Sequence, residues 1–129
     1  MPSIFTKIVS GEISAHKIAE TDQFLAFLDV FPIAKGHTLV IPKKETDYIF
    51  DVADSDYQAL WLFAKSVAQK IEKAIPCKRI GIAVIGLEVP HAHIHLVPMN
   101  VIGDLNFSKP KLSFSQDELS AIAESIRKA

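Results

Sequence analysis

The sequence predicts one α+β domain spanning residues 1–129, and three features of the chain support this prediction. Its 129 residues can bury the hydrophobic core of one domain but are few for two. Some stretches have strand-like composition, and others have the apolar spacing of amphipathic helices. The two kinds of stretch are partly segregated along the chain, which favours an α+β arrangement over a wound parallel sheet.

The overall composition excludes several classes of protein. Apolar residues make up 49% of the chain and charged residues 22%, which is typical of a globular protein. The formal net charge of −1 gives no general attraction to nucleic acid or to an anionic membrane. The sequence shows no signal peptide and no apolar stretch of about 18 residues. Cys77 is the only cysteine, which fits a reducing compartment, so we expect a cytoplasmic protein without nucleic-acid or membrane partners.

The N-terminal third predicts one short helix and three strands. The predicted elements are a helix over 3–10 and strands over 18–20, 24–28 and 38–41. Gly11 suits the left-handed turn that follows many helices, and the polar residues 21–23 suit a hairpin loop. Residues 31–36 contain both proline and glycine and therefore predict a loop, and Pro42 closes the third strand.

The rest of the chain predicts two longer helices and two strands. The predicted elements are a helix over 56–75, strands over 79–85 and 91–97, and a helix that begins after Ser115. Ser55 with Gln58 fits a capping box at the start of the first helix, which Pro76 ends. Ser115 with Glu118 fits a second capping box. Apolar residues at helical spacing give both helices a face for the core.

Three of the five histidines alternate along the predicted strand 91–97. Strand side chains point to alternate faces, so we expect His91, His93 and His95 to project together from one face. The residues between them are apolar and suit burial on the other face. Core packing gains little from three rings whose nitrogens each need hydrogen-bond partners. The pattern therefore favours a chemical role.

Three interpretations of these histidines are open. The one we favour is catalysis, because a neutral imidazole is a nucleophile near pH 7 and neighbouring imidazoles can hold phosphate oxygens or protonate a leaving group. The second is a metal site, although the outer two histidines would need a bent strand to reach one zinc ion. The third is that the histidines have no functional role.

The segment His91-Ala92-His93-Ile94-His95-Leu96-Val97 has the form His-x-His-x-His-x-x, with an apolar residue at every x. This form resembles the signature of the histidine triad (HIT) family of nucleotide hydrolases and transferases. Other stretches of the chain resemble the family in order and spacing, namely residues 4–13, 25–32 and 36–43. The resemblance extends from about residue 4 to residue 98.

The resemblance implies a fold, a reaction and a ligand. The fold is the HIT-like fold, with a short antiparallel sheet of about five strands and two main helices, usually in a two-fold homodimer. The reaction occurs at the α-phosphate of a nucleoside phosphoramidate or a related nucleotide conjugate, with dinucleoside polyphosphates as second candidates. It passes through a nucleotidyl-histidine intermediate and needs no cofactor and no catalytic metal. The implied ligand is a purine nucleotide.

The resemblance also implies roles for individual residues. His93 is the implied nucleophile, His95 contacts the phosphate or leaving group, and His91 orients His93 through its backbone carbonyl. His37 matches a further family histidine near the triad, and Asp29 matches the acidic residue that binds the ribose hydroxyls. The residues that match apolar contacts to the nucleoside are Ile13, Phe27, Leu28 and Val30.

Two departures from the family pattern bear on function. Many relatives have a Cys-x-x-Cys and a histidine that form part of a structural zinc site, whereas this chain has Ser3, Thr6 and Glu45, so we expect no structural zinc. Glu88 stands where the family usually has a hydroxyl that donates to the phosphate. We expect Glu88 to line the nucleotide site, and one hypothesis is that it recognises a basic leaving group such as an amine.

Two alternatives to a HIT-type enzyme remain open. The altered loop around Glu88 favours a nucleotide-binding regulatory protein with weak turnover. The other alternative is a histidine-based metal-binding protein.

Overall fold

The computed structural model describes residues 2–129, and its central feature is an antiparallel sheet of five strands. The strands are β1 (Lys17–Glu20), β2 (Phe24–Leu28), β3 (Thr38–Pro42), β4 (Arg79–Ala83) and β5 (Ile94–Met99). Their order across the sheet is β1-β2-β3-β5-β4, and all neighbouring strands are antiparallel. β5 therefore lies between β3 and β4, and the α+β prediction is confirmed.

Two longer helices cover one face of the sheet, and a short helix lies against the other. The helices are α1 (Ile4–Val9), α2 (Asp54–Ala74) and α3 (Gln116–Arg127), with short 3₁₀ turns at Ile49–Asp51 and Ile102–Asp104. Alternate residues of β2, β3 and β5 pack against α2 and α3 and form the larger core. The buried strand residues of this core are Ile18, Phe24, Ala26, Leu28, Val40, Ile94 and Leu96.

The opposite face of the sheet, called here the α1 face, has a smaller core. Phe5 and Ile8 of α1 pack on strand residues of β2 and β3, which are Leu25, Phe27, Leu39 and Ile41. His95 of β5 pairs with Leu39 in the β3–β5 ladder, so its side chain is also on the α1 face. α1 has only six residues and covers part of this face. Space is left beside it for a ligand.

The histidine segment differs from the prediction of a strand over 91–97. β5 begins only at Ile94, so His91 and His93 precede the strand and His95 is the one triad histidine inside it. Pairing with β3 starts at Ile94, and alternation in the sequence does not reveal where pairing begins. The segment before Ile94 follows a bent path set by its own hydrogen bonds.

Two strand ends also differ from the prediction. β5 continues through Pro98 to Met99. Beyond Leu96 it pairs with β4 alone, so the N–H that Pro98 lacks is not needed for pairing with a second strand. β4 ends at Ala83 rather than at residue 85, opposite His95 of β5.

The start of α2 is a further correction. The helix begins at Asp54, and Ala53 is its N-cap residue without any side-chain hydrogen bond. Ser55 lies inside the first turn, so the predicted capping box of Ser55 and Gln58 is wrong. The carbonyl of Ala53 accepts from Tyr57 N at 2.7 Å, which extends the helix past the serine.

A serine is the N-cap residue at the other two helix starts, and at α3 this confirms the prediction. Ser3 caps α1 by accepting from Thr6 N, and Ser115 forms the predicted capping box with Glu118 at α3. Gly11 has φ of +85° directly after α1, as the predicted left-handed turn requires. Across residues 2–129, the helices are too short or too polar to serve as membrane spans.

Candidate active site

A cavity of about 510 Å³ opens on the α1 face of the sheet. Its walls come from α1 and the segment after it, the end of β2, the start of β3, the loop before β5 and the segment between β5 and α3. Most of the lining side chains are apolar. The lining residues that carry titratable groups are Asp29, His37, Glu88, His93, His95 and Lys111. An apolar cavity with a few convergent polar groups is typical of a small-molecule site.

The backbone holds the ring of His93. Its Nδ1 lies 2.7 Å from the carbonyl oxygen of His91. A carbonyl only accepts, so Nδ1 carries the proton and Nε2 of the neutral ring keeps a lone pair. Phe5 packs edge-on against the ring, with the two centroids 5.0 Å apart. The nitrogen that His93 can offer to a ligand in the cavity is therefore an unprotonated Nε2.

One backbone amide fixes the protonated nitrogen of both His37 and His95. Ile33 N–H donates to His37 Nδ1 at 3.1 Å, so the neutral His37 ring carries its proton on Nε2. His37 Nε2 donates to His95 Nδ1 at 2.9 Å. The neutral His95 ring then carries its own proton on Nε2. His95 thus contributes a donor next to the His93 ring, whose centroid is 4.9 Å from its own.

Burial keeps these two rings neutral. It lowers the pKa of His37 to about 4, assisted by electrostatic interaction with Lys111 and His93. It also lowers the pKa of His95 to about 3, assisted by His93, His37 and Lys111 and opposed by Asp29. Both values lie far below neutral pH, so the neutral tautomers deduced above are the relevant ones.

His91 lies on the α1 face with His93, as expected, because the Phe5 ring packs edge-on against both rings, but His91 does not line the cavity. The His91 ring is fully buried, and its Nε2 donates to the carbonyl oxygen of Pro42 at 2.7 Å. Its Nδ1 lies 2.7 Å from Ser3 Oγ at the start of α1. Ala92 packs in the larger core on the opposite face, so the side chains alternate here although β5 begins only at Ile94. The contact of His91 with the site is the backbone carbonyl that holds His93.

Comparison with known proteins agrees with this geometry. A family model described as HIT domain matches residues 10–101. The chain belongs to the HIT family. The adenosine 5'-monophosphoramidase hnt1 of Schizosaccharomyces pombe is 34% identical to it over 132 residues, which cover 98% of this chain and 96% of hnt1.

Two other HIT proteins match over nearly the whole chain. An uncharacterized HIT-like protein of Mycoplasma genitalium, MG132, is 35% identical over 130 residues, covering 95% of this chain and 92% of its own. The crystal structure of a Hit-like protein involved in cell-cycle regulation from Bartonella henselae superposes with a TM-score of 0.83 at 28% identity. That superposition covers 98% of this chain and 94% of the other. The HIT-like fold is therefore shown.

The residues that the HIT resemblance assigns to the nucleoside all line the cavity. They are Ile13, Phe27, Leu28, Asp29 and Val30. The Asp29 carboxylate accepts from Phe31 N at 2.8 Å through Oδ1, and its Oδ2 lies 3.6 Å from His37 Nε2. One carboxylate oxygen is thus held by the backbone while the second faces the polar end of the site. Glu88 also lines the cavity, as expected, and its side chain is exposed.

Among the lining residues that sequence reasoning missed, Phe107 and Lys111 lie at the histidine end of the site. The Phe107 ring packs against His95 with centroids 4.6 Å apart and against His37 at 6.0 Å. Lys111 Nζ donates to the Phe107 carbonyl at 3.1 Å and lies 5.7 Å from its ring centroid. Both belong to the segment between β5 and α3, which has no motif or periodicity. These residues line the HIT site only because the folded chain brings this segment back beside the cavity.

Asp29, His37 and His95 form the one cluster in residues 2–129 whose ligating atoms are close enough for a metal ion, all within 4.8 Å. The hydrogen bonds argue against a metal there. Ile33 N–H occupies the lone pair of His37 Nδ1, so a neutral His37 must keep its proton on Nε2, the nitrogen a metal would need. His37 Nε2 already uses that proton on His95.

The residues at the structural zinc position of many relatives do not fit a metal in this chain. Ser3, Thr6, Glu45 and His91 meet there, but two of the four ligating groups are hydroxyls, which bind zinc poorly. Each of those hydroxyls already has hydrogen-bond partners within the cluster. At this position the four residues are hydrogen-bonded to one another.

Proposed function

We propose that this HIT protein hydrolyses or transfers the nucleotidyl group of purine nucleoside phosphoramidates or related nucleotide conjugates. The observation that carries the proposal is the pair of nitrogens at the end of the cavity. His93 offers an unprotonated Nε2 because its Nδ1 donates to the His91 carbonyl, and His95 offers a protonated Nε2 beside it. A nucleophile next to a hydrogen-bond donor is what displacement at a phosphorus centre requires.

The proposed reaction has two steps. His93 Nε2 attacks the α-phosphorus, and the bond to the leaving amine breaks as the amine takes a proton from solvent. Water then attacks the nucleotidyl-histidine, releases the nucleotide and returns His93 to its neutral form. His95 donates its Nε2–H to a phosphate oxygen or to the leaving atom in both steps, and neutral His37 keeps that proton on the correct nitrogen.

The other end of the cavity suits the nucleoside. Apolar side chains from the segment after α1 and from β2 would contact a purine base, and Asp29 would accept hydrogen bonds from ribose hydroxyls. Two yeast relatives are named adenosine 5'-monophosphoramidases, at 34% identity each, which supports an adenosine phosphoramidate as the first substrate to assay. Dinucleoside polyphosphates are the second.

Glu88 is proposed to act on the leaving group. Its carboxylate would repel a polyphosphate and attract a positively charged amine at the open side of the cavity. In the Glu88→Ser variant, we expect the preference for substrates with a positively charged leaving amine over those with a neutral one to fall. An unchanged preference would remove Glu88 from this role. A wild-type protein that binds AMP but hydrolyses no phosphoramidate would instead be the regulatory alternative.

A substitution of His93 tests the proposed function. We expect His93→Ala to lose on the order of 10³-fold or more in kcat on adenosine 5'-phosphoramidate while AMP binding, measured by calorimetry, changes little. His16→Ala is a matched control, because His16 is a half-buried histidine that contacts Gln116 and does not line the cavity. Normal turnover by His93→Ala would disprove the mechanism.

A further inference from the structure

A hydrogen-bonded cluster, buried at His91 and Ser3, half-buried at Thr6 and exposed at Glu45, connects three distant parts of the chain. Ser3 and Thr6 come from the start of α1, Glu45 from the segment after β3, and His91 from the segment before β5. His91 is fully buried, and Ser3 is 5% exposed. None of these four residues lines the cavity.

The direction of each hydrogen bond in the cluster can be deduced. His91 Nε2 faces the Pro42 carbonyl and must donate, so Nδ1 of the neutral ring is an acceptor. Ser3 Oγ donates to that Nδ1 at 2.7 Å and accepts from Thr6 N at 3.0 Å. Burial lowers the pKa of His91, which favours this neutral form.

Glu45 holds the serine in place. Its Oε1 accepts from Ser3 N at 2.6 Å and from Thr6 Oγ1 at 2.7 Å. The single proton of the Thr6 hydroxyl is thus used on Glu45, and Thr6 Oγ1 lies 3.4 Å from His91 Nδ1. Ser3 is therefore the donor on which His91 Nδ1 depends.

The cluster continues to the reacting nitrogen through the backbone. The carbonyl of His91 accepts from His93 Nδ1 at 2.7 Å, and this bond fixes the ring that presents Nε2. Ala92 N donates at 2.7 Å to the carbonyl of Thr46, the residue next to Glu45. The ring of His91 and the amide of Ala92 therefore anchor both sides of the peptide unit that carries this carbonyl.

We propose that Ser3 and Glu45 are positioning residues for His93, acting through the ring and the carbonyl of His91. The inference rests on the proposed function, because it assigns these residues to the nucleophile of that reaction. Loss of the Ser3 hydroxyl leaves a buried acceptor on His91 without a donor, and the His91 peptide shifts to satisfy it. A small displacement of the carbonyl weakens the bond that holds the His93 tautomer and the direction of its lone pair.

Ser3→Ala tests the proposal against a matched control, Ser115→Ala. Both serines are helix N-caps that accept a backbone N–H, but Ser115 contacts no histidine. We expect both variants to lose similar thermal stability. Only Ser3→Ala should lower kcat, by about tenfold, with KM within about twofold of the wild type. Ser3→Thr keeps a hydroxyl and should recover most of the rate.

Glu45 provides a second pair of variants should Ser3→Ala fold poorly. Glu45→Gln keeps a side-chain carbonyl oxygen as acceptor and should stay near the wild-type kcat, whereas Glu45→Ala should resemble Ser3→Ala. Equal kcat values for Ser3→Ala and Ser115→Ala, or for Glu45→Ala and wild type, would overturn the proposal and leave a purely structural cluster.

A spectroscopic readout separates this inference from the proposed function. Long-range ¹H–¹⁵N spectra of the histidine rings report which nitrogen of His93 is protonated. We expect a single tautomer with the proton on Nδ1 in the wild type and a mixture in Ser3→Ala and Glu45→Ala, with or without turnover. An unaltered His93 tautomer in both variants would contradict the positioning role even if the protein is an active hydrolase. Absence of turnover in the wild type with altered tautomers would instead contradict the proposed function alone.

Discussion

His93 and His95 each have one ring nitrogen bound to a partner inside the protein, and this bond decides what the other nitrogen can do. His93 donates to a carbonyl and keeps a lone pair, whereas His95 accepts from His37 and keeps a proton. The rings of His93 and His95, whose centroids are 4.9 Å apart, therefore have opposite functions in the proposed reaction. Backbone groups at His91 and Ile33 set the difference.

Burial of neutral histidines predicts a particular dependence of stability on pH. The folded-state pKa values of about 4 for His37 and about 3 for His95 lie below the ordinary value near 6.5. The unfolded chain therefore binds more protons than the folded one between these values, and stability falls as pH falls from 6.5. We expect a loss on the order of 2 kcal/mol per histidine by pH 4.5. Urea unfolding at pH 7.5, 5.5 and 4.5 measures it, and constant stability over this range would contradict the prediction.

Lys111 is the one Lys or Arg residue among those lining the cavity. Because His37 and His95 are neutral, it is the permanent positive charge available to a bound phosphate. We expect Lys111→Gln to weaken AMP binding by about fivefold at low salt and less at high salt. Calorimetry at two salt concentrations measures the effect.

Lys109→Gln is the control for Lys111→Gln, since Lys109 lies two residues away and contacts Asp104 at 3.8 Å outside the cavity. Equal AMP affinity in the two variants would show that Lys111 does not contact the phosphate. Lys111→Arg should retain most of the affinity because it keeps the charge.

At the scale of helices and strands, elements with strong local signals were predictable and others were not. α3 has a capping box and an apolar stripe that agree, and its predicted start is confirmed. In α2, Ser55 lies inside the first turn, and the N-cap residue is Ala53, which has no side-chain oxygen. A sequence pattern identifies residues that can cap a helix, but the backbone of the preceding turn decides which residue does.

The histidine segment shows a second limit of sequence reasoning. Alternation correctly placed His91 on the α1 face with the other two histidines, but it could not show that His91 does not line the cavity. The start of β5 depends on where β3 offers partners, and no local residue encodes that point. Phe107 and Lys111 reach the cavity only because the segment before α3 folds back, so their roles could not be predicted. The hydrogen-bonded tautomers likewise require coordinates.

The N-cap residue of α2 makes no side-chain hydrogen bond, and this predicts that a better cap would stabilise the protein. Ala53 has the extended conformation of an N-cap, with φ of −56° and ψ of 144°, but no side-chain oxygen. We expect Ala53→Ser to raise the free energy of unfolding by about 1 kcal/mol, because a hydroxyl can accept a free N–H of the first turn. Urea unfolding measures the gain, and Ser115→Ala should show a loss of similar size at α3. An Ala53→Ser variant no more stable than wild type would contradict this account of the helix start.

At the scale of the whole molecule, the sheet has an edge at β4 that could join a second copy of the chain. β4 pairs only with β5, and its Ile82 is 50% exposed. The HIT resemblance implies a homodimer, and we expect this edge to be part of the interface. Light scattering should then give twice the chain mass of 14.2 kDa.

Ile82→Lys tests where the copies meet. We expect it to shift the mass toward that of one chain, because a buried lysine without a partner opposes association. Phe50→Lys is the control, since Phe50 is 68% exposed in the 3₁₀ turn before α2 rather than on β4. A wild-type protein of single-chain mass at all concentrations would contradict the dimer, and equal effects of both variants would contradict the proposed edge.

In the proposed reaction, His93 Nε2 bonds covalently to phosphorus during turnover. Adenosine 5'-phosphorimidazolide has a good leaving group, so formation of the intermediate should outpace its hydrolysis. Wild-type protein is mixed with it, denatured at alkaline pH within the first turnover, and analysed by intact mass and peptide mapping. The account predicts one adenylate group per chain on His93 and none in His93→Ala. Accumulation of AMP with no adduct on His93, or with the adduct on another residue, would contradict it.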